Sequence, residues 1–109
     1  MSVPSKIDVG PLSFVVTQDL ARYGQAVETN DGRLWGQIYY ATGELVLNPA
    51  QAEGHKRLCL LHEILHACWH LTDYTHNNDE DAVRRLAAPL LETLRRNPAL
   101  VTYLMEVTA

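Results

Sequence analysis

Leu60-Leu61-His62-Glu63-Ile64-Leu65-His66-Ala67 is the stretch that decides the fold of this chain. It holds a His-Glu-x-x-His motif within an apolar run. In a helix, His62 and His66 lie on one face, one turn apart, and two neutral imidazoles placed in this way can bind one zinc ion. Glu63 lies about 100° further around the helix. Its carboxylate therefore flanks the metal and can take a proton from water without being a ligand itself.

The residues around the motif favour a helix. Neither Gly nor Pro occurs from 56 to 71, and apolar residues recur at helical spacing in two rows. The rows are Leu58, Leu61, Leu65 and Cys68, and Leu60, Ile64, Ala67 and Leu71. We expect this helix to be largely buried, with a narrow polar stripe. The stripe consists of His62, Glu63, His66 and His70. It favours a metal site over hydrogen-bonded core histidines, because unpaired polar groups are costly to bury.

The composition indicates a single globular domain spanning residues 1–109. Of the 109 residues, 47% are hydrophobic and 20% are charged, as in folded proteins, and this length supports one modest core. Residues 1–10 are interpreted as a loose lead-in. The net charge of −4 argues against nucleic acid as a direct partner, because phosphate binding needs a basic patch.

The expected location follows from the segments that the sequence lacks. No signal peptide is recognisable in the polar segment 1–8, and no apolar run approaches the roughly 20 residues of a membrane span. We therefore expect a cytoplasmic protein without a membrane partner.

Cys59 and Cys68 lie about 13 Å apart along the helix, too far for a disulfide. Both are expected to be reduced core residues, although a Cys59 thiolate would also suit a metal.

Strands are expected ahead of the motif helix. They lie at 13–17 (alternatively the end of a short helix), at 35–40 and at 44–48. The last two form a β-hairpin around the turn at 41–44, and residues 19–23 form one helical turn.

Helices are expected after the motif helix and a polar loop at 72–78. Asp79-Glu80-Asp81 opens the first of them, because acids suit a helix N-terminus. This helix ends at Asn97, and Pro98 starts another. The expected fold is α+β: a small antiparallel sheet packs on the motif helix, and further C-terminal helices close the other side.

A catalytic zinc site usually has three protein ligands and one open position for water. Glu80 is the leading candidate for the third ligand, because a glutamate on a second, packed helix can reach across to the motif. Asp79 and Asp81 in the same cluster remain alternatives, and all three acids also suit helix capping. His70 and His76 are weaker candidates. Three successive turns of one straight helix rarely reach one ion.

The motif, the order of the elements and the acidic start of the next helix resemble the ImmA/IrrE-type metallopeptidases. More narrowly, they are similar to the small stand-alone versions encoded by phages and prophages. The resemblance covers residues 34–104 and includes the Leu-Asn-Pro end of the hairpin. It implies a minimal zincin-like fold and a third ligand three residues before an Ala-Asn pair, which falls on Glu80. Val83-Arg84 replaces that pair, so the contact made by its Asn is not carried over.

The expected function is zinc-dependent hydrolysis of peptide bonds. His62, His66 and Glu80 would hold Zn2+, and Glu63 would act as general base. The resemblance implies a protein or peptide substrate, with a transcriptional repressor as one candidate. For a phage-encoded chain it also implies the host-cell cytoplasm.

The sequence alone leaves several points open. The donor that stabilises the oxyanion is His70, Tyr74 or His76. An extended substrate is expected to pair with the hairpin at 44–47. The alternative function is a zinc-binding, catalytically weak or inactive regulatory or interaction module of phage origin. An intact Glu63 favours the enzyme, because a structural zinc needs ligands but no general base. The oligomeric state is not predicted.

Overall fold

The computed structural model of the chain describes residues 3–29, 35–72 and 79–106. Four strands and four helices follow one another in the order β1 (Lys6–Val9), β2 (Leu12–Thr17), α1 (Leu20–Thr29), β3 (Gly36–Tyr39), β4 (Glu44–Leu47), α2 (Glu53–Thr72), α3 (Asp79–Arg96) and α4 (Pro98–Met105). The α+β class is confirmed, and so are the hairpin, the motif helix and the two helices that follow it.

The four strands form one mixed sheet in the order β1-β2-β4-β3. β1 and β2 are antiparallel, as are β3 and β4, but β2 and β4 run parallel. The expectation of a purely antiparallel sheet is therefore wrong at the centre. The reason is the path of the chain: it leaves β2, passes through α1, and returns through a hairpin whose second strand pairs with β2. A parallel pair needs such a long crossover.

The N-terminal segment is a strand, so the expectation of a loose lead-in at 1–10 is wrong. Ile7 and Val9 are both fully buried, which matches the alternating pattern of a half-buried strand. The backbone N–H of Asp8 donates to Oδ1 of Asn97 (3.0 Å), and Nδ2 of Asn97 donates to the carbonyl of Asp8 (2.8 Å). One side-chain amide thus takes the place of a neighbouring strand along this edge of the sheet.

The motif helix α2 buries one face rather than most of its circumference. Its buried apolar residues are Leu60, Ile64, Ala67 and Cys68. Leu58, expected to be buried, is 62% exposed. Instead, the helix buries Lys56 and Arg57 near its start. Arg57 donates from Nε to the carbonyl of Tyr103 in α4 (2.9 Å), so that α4 covers this part of α2.

The remaining helices complete the second layer. α2 packs against α3, α3 also contacts β1, and α1 packs on β4. The core between sheet and helices contains Phe14, Leu45, Leu47, Leu60 and Leu100. Within residues 3–29, 35–72 and 79–106, none of the helices combines the length and the apolarity that crossing a membrane requires.

Candidate metal centre and its clefts

The two histidines of the motif converge on one point in space. Nε2 of His62 lies 3.0 Å from Nε2 of His66, and the two rings stand edge to face at 75°. Two nitrogen ligands of a tetrahedral zinc ion, each at 2.0–2.1 Å, are about 3.3–3.4 Å apart. The pair therefore fits a zinc ion with a small outward shift. Both side chains are exposed, so that solvent can reach this point.

Glu63 lies beside this pair and is half-buried. Burial raises the pKa of its carboxyl above the ordinary glutamate value, and the neighbouring His66 and His62 act in the opposite direction. A carboxylate with a raised pKa is a better match for proton transfer near neutral pH. The predicted general base thus lies next to the predicted ligands, in a partly desolvated environment.

Gly36 of β3 lets Glu63 lie close to the sheet. A Cβ atom at this position would lie 3.2 Å from Cδ2 of Leu47 and 3.4 Å from Cγ of Glu63. A side chain here would therefore crowd the stem of the glutamate. The close approach of β3 to α2 is one cause of the partial burial of Glu63.

The third ligand is not located. Glu80, Asp79 and Asp81 belong to the first turn of α3, but their side chains lie outside the part of the chain that the structure describes. His76 and Tyr74 also lie outside the described residues. Among the side chains that are described, no group of three His, Cys, Asp or Glu residues could hold a metal ion. Glu80 stays a prediction.

Two clefts open on either side of Glu63. The first has a volume of about 340 Å³ and extends from the motif toward the start of α2. It is lined by Trp35, Gly36, His55, Leu58, Cys59, His62 and Glu63. The second has a volume of about 210 Å³ and lies between Glu63 and the end of β3. It is lined by Gln37, Ile38, Tyr40, Glu63 and His66.

His55 was not singled out from the sequence. It lies seven residues before His62, so it continues the polar stripe two turns toward the start of the helix. Cys59 lies between them, with Sγ 3.6 Å from Nδ1 of His55. Both cysteines are free thiols, as expected, and Cys68 is buried while Cys59 is half-buried. The helical spacing of His55, Cys59 and His62 in the sequence could have indicated that these residues line one side of the first cleft.

Tyr40 was also missed, and it lies in the second cleft. Its ring stacks on that of His70, with the centroids 4.0 Å apart and the planes at 16°, and its edge meets Phe14. Burial raises the pKa of the Tyr40 hydroxyl, and the charge of Glu63 adds to this effect. Tyr40 is thus held as a neutral hydrogen-bond donor next to Glu63 and His66. His70, a predicted donor, supports the Tyr40 ring.

Among the strands that the structure describes, β3 and not β4 lies at this edge of the sheet. The expected substrate position at 44–47 is wrong, because β4 lies between β2 and β3 and pairs with both. The backbone N–H of Asn48 donates to the carbonyl of Trp35 (2.9 Å), so these two residues form a hydrogen-bonded pair. Hydrogen-bonded and non-hydrogen-bonded pairs then alternate along the hairpin. The outward backbone groups of β3 are therefore those of Gly36 and Ile38, next to the motif. The carbonyl of Ile38 accepts a hydrogen bond from Nε2 of Gln37 (3.2 Å).

Comparisons with family models, with curated proteins and with solved structures found no match for this chain. The resemblance to ImmA/IrrE-type metallopeptidases therefore depends on the motif and the order of elements alone.

Proposed function

We propose that this chain is a zinc-dependent metallopeptidase of the small, ImmA/IrrE-like, zincin type. The observation that carries the proposal is the convergence of the Nε2 atoms of His62 and His66 beside a half-buried Glu63. A pair of core histidines would need neither exposure to solvent nor a flanking carboxylate. The accompanying clefts provide room for the two sides of a bound peptide.

Each residue of the proposed centre has a separate role. His62 and His66 bind the ion through Nε2, and Glu80 is proposed as the third ligand. A zinc ion in this position supplies a Lewis acid that polarises the scissile carbonyl and lowers the pKa of water. The carboxylate of Glu63 takes the proton of the attacking water and passes it to the leaving amine.

Tyr40 is proposed as the donor that stabilises the oxyanion. Tyr40 lines the cleft that also contains Glu63 and His66, and stacking on His70 fixes its ring. A preorganised donor of this kind acts in the transition state without reorganising.

The peptide substrate is proposed to pair with the outward backbone groups of β3. Extended peptides commonly add to an exposed sheet edge, and side chains on alternate residues then give specificity. This edge lies beside Glu63, because Gly36 and Glu63 line the same cleft. The resemblance adds a candidate for the protein substrate, a transcriptional repressor.

The test combines metal analysis with proteolysis of a fluorescent casein substrate. The native protein should contain about one zinc per chain and cleave the substrate. Glu63→Gln should keep the zinc and lose cleavage, whereas His66→Ala should lose both. Glu80→Gln should also lose zinc. His70→Ala, the control for His66→Ala on the same helix α2, should retain it.

Other outcomes separate the alternatives. Zinc binding without cleavage in the native protein, unchanged by Glu63→Gln, would favour a regulatory or interaction module. Failure of the native protein to bind added zinc would overturn the metal centre itself.

A further inference from the structure

The cleft of about 340 Å³ beside the motif has mostly apolar walls. Trp35 and Leu58 are 55% and 62% exposed, and Gly36 lines the cleft without a side chain. The volume lies at the lower end of ligand pockets, so it suits one large side chain rather than a larger molecule. Large apolar side chains exposed next to a candidate active site indicate a binding surface.

One polar side chain that lines this cleft, His55, has hydrogen bonds that define its tautomer. Gln51, which is buried, donates from Nε2 to the carbonyls of Trp35 and Asn48, both at 3.0 Å. These two bonds identify the nitrogen end of the amide. Its Oε1 is therefore an acceptor, and Nδ1 of His55, 2.6 Å away, carries the proton.

In the neutral ring, Nε2 of His55 is then the acceptor. Within the described residues, His55 makes its hydrogen bonds through Nδ1. The ring is also held by an edge-to-face contact with Trp35, at 4.9 Å between centroids. A buried amide and an aromatic ring thus fix the orientation of an exposed imidazole, which is the arrangement expected for a histidine that contacts a ligand.

We propose that this cleft binds a tyrosyl side chain of the peptide substrate, with its ring between Trp35 and Leu58 and its hydroxyl donating to Nε2 of His55. A tyrosine has an apolar body and a polar tip, which matches the apolar walls and the acceptor that His55 offers beside Trp35 and Leu58. The assignment of the tyrosyl group to a peptide being cleaved rests on the proposed function. The binding site itself does not.

The test is an NMR titration of the native protein and of Glu63→Gln at about pH 8. The probes are N-acetyl-tyrosinamide and N-acetyl-phenylalaninamide. N-acetyl-tyrosinamide should bind about fivefold more tightly, because it makes one additional hydrogen bond. Its binding should also shift the indole signal of Trp35. Long-range 15N spectra should show His55 with its proton on Nδ1.

Variants separate the hydroxyl contact from the apolar walls. His55→Phe, and likewise His55→Leu, should weaken the tyrosyl probe to the level of the phenylalanyl probe and leave the latter unchanged. Leu58→Ser should weaken both probes. Leu91→Ser, on an exposed part of α3, should affect neither.

Equal affinity for the two probes in the native protein, or a proton on Nε2 of His55, would overturn the proposal. So would shifts confined to residues around Tyr40. Because Glu63→Gln is titrated as well, binding is measured without turnover. A tyrosyl site in a protein that cleaves nothing would contradict the proposed function alone, whereas cleavage without tyrosyl preference would contradict this inference alone.

Discussion

At the scale of single residues, the candidate site combines groups that are close in sequence with groups that are not. The motif supplies His62, Glu63 and His66 from one helix, where a spacing of four residues fixes their geometry. Tyr40 comes from the end of β3. It is positioned by contacts with Phe14 and His70, which lie far from it in the sequence.

We expect Tyr40→Phe to reduce kcat about 100-fold, the usual effect of removing one oxyanion donor. The ring and its stacking on His70 are retained, so zinc content and KM should stay the same. Steady-state kinetics on a fluorogenic peptide measures this.

The matched change is His70→Phe, which keeps the aromatic stack and removes the imidazole. It should leave kcat within a few-fold of the native value. The reverse result, a large loss in His70→Phe with a normal Tyr40→Phe, would assign the donor to His70.

How much of the site the sequence could predict depends on whether a residue acts through its neighbours in the sequence or through distant residues. His62, Glu63 and His66 were predictable because helical periodicity alone places them together. The acceptor role of His55 was not, because it depends on Gln51, whose amide is oriented by two backbone carbonyls. Such a role follows from tertiary contacts, which leave no pattern in the local sequence.

At the scale of elements, β1 shows where local patterns fail. It has four residues, too few for a clear alternation, and its outer edge is paired by Asn97, 89 positions later in the chain. The hairpin and the long helices were predictable because their turn residues and periodicities are local. The place of β4 inside the sheet was not, since it depends on the long-range pairing with β2.

We expect Asn97→Ala to lower the free energy of unfolding by about 2–4 kcal/mol. The change leaves the partly buried N–H and carbonyl of Asp8, and the carbonyl of Thr93, without their Asn97 partner, and each unsatisfied buried group costs about 1–3 kcal/mol. Urea denaturation measures the loss. Thr102→Ala, at an exposed position of α4, is the control and should stay within about 0.5 kcal/mol of the native value. A similar effect of both changes would mean that Asn97 is no edge partner.

At the scale of the whole molecule, an ion pair ties α1 to the sheet. Arg22 donates from Nε and Nη2 to the two carboxylate oxygens of Glu44, at 3.0 and 3.2 Å, and Thr42 donates to the same carboxylate at 3.0 Å. The Arg22 guanidinium, followed by the Thr42 hydroxyl, lowers the pKa of the Glu44 carboxyl below the ordinary glutamate value. The bidentate geometry makes this pair stronger than a typical surface ion pair.

The lowered pKa of Glu44 predicts a pH-dependent contribution to stability. A carboxyl whose pKa is lower in the folded chain stabilises the fold above the pKa of the unfolded chain. The contribution is lost as the pH falls through the folded pKa. Glu44→Gln should therefore lower Tm at about pH 7 and have little effect at about pH 2. Thermal unfolding followed by circular dichroism measures both.

Glu92→Gln is the control for this prediction. Glu92 pairs with Arg96 on the surface of α3, at 3.1 Å, and exposed pairs of this kind contribute little. Its effect on Tm should be small at both pH values. If Glu44→Gln changed Tm equally at about pH 7 and about pH 2, the loss would come from packing and not from charge.

The two edges of the sheet differ in a way that concerns assembly. Asn97 occupies the β1 edge, whereas Gly36 and Ile38 leave backbone groups of β3 facing outward beside the candidate centre. An open edge is also the place where another copy of a protein can add its own strand. Dimerisation through β3 and peptide binding would therefore compete for the same backbone groups. At high concentration such dimers would block the proposed peptide site, and dilution would open it again.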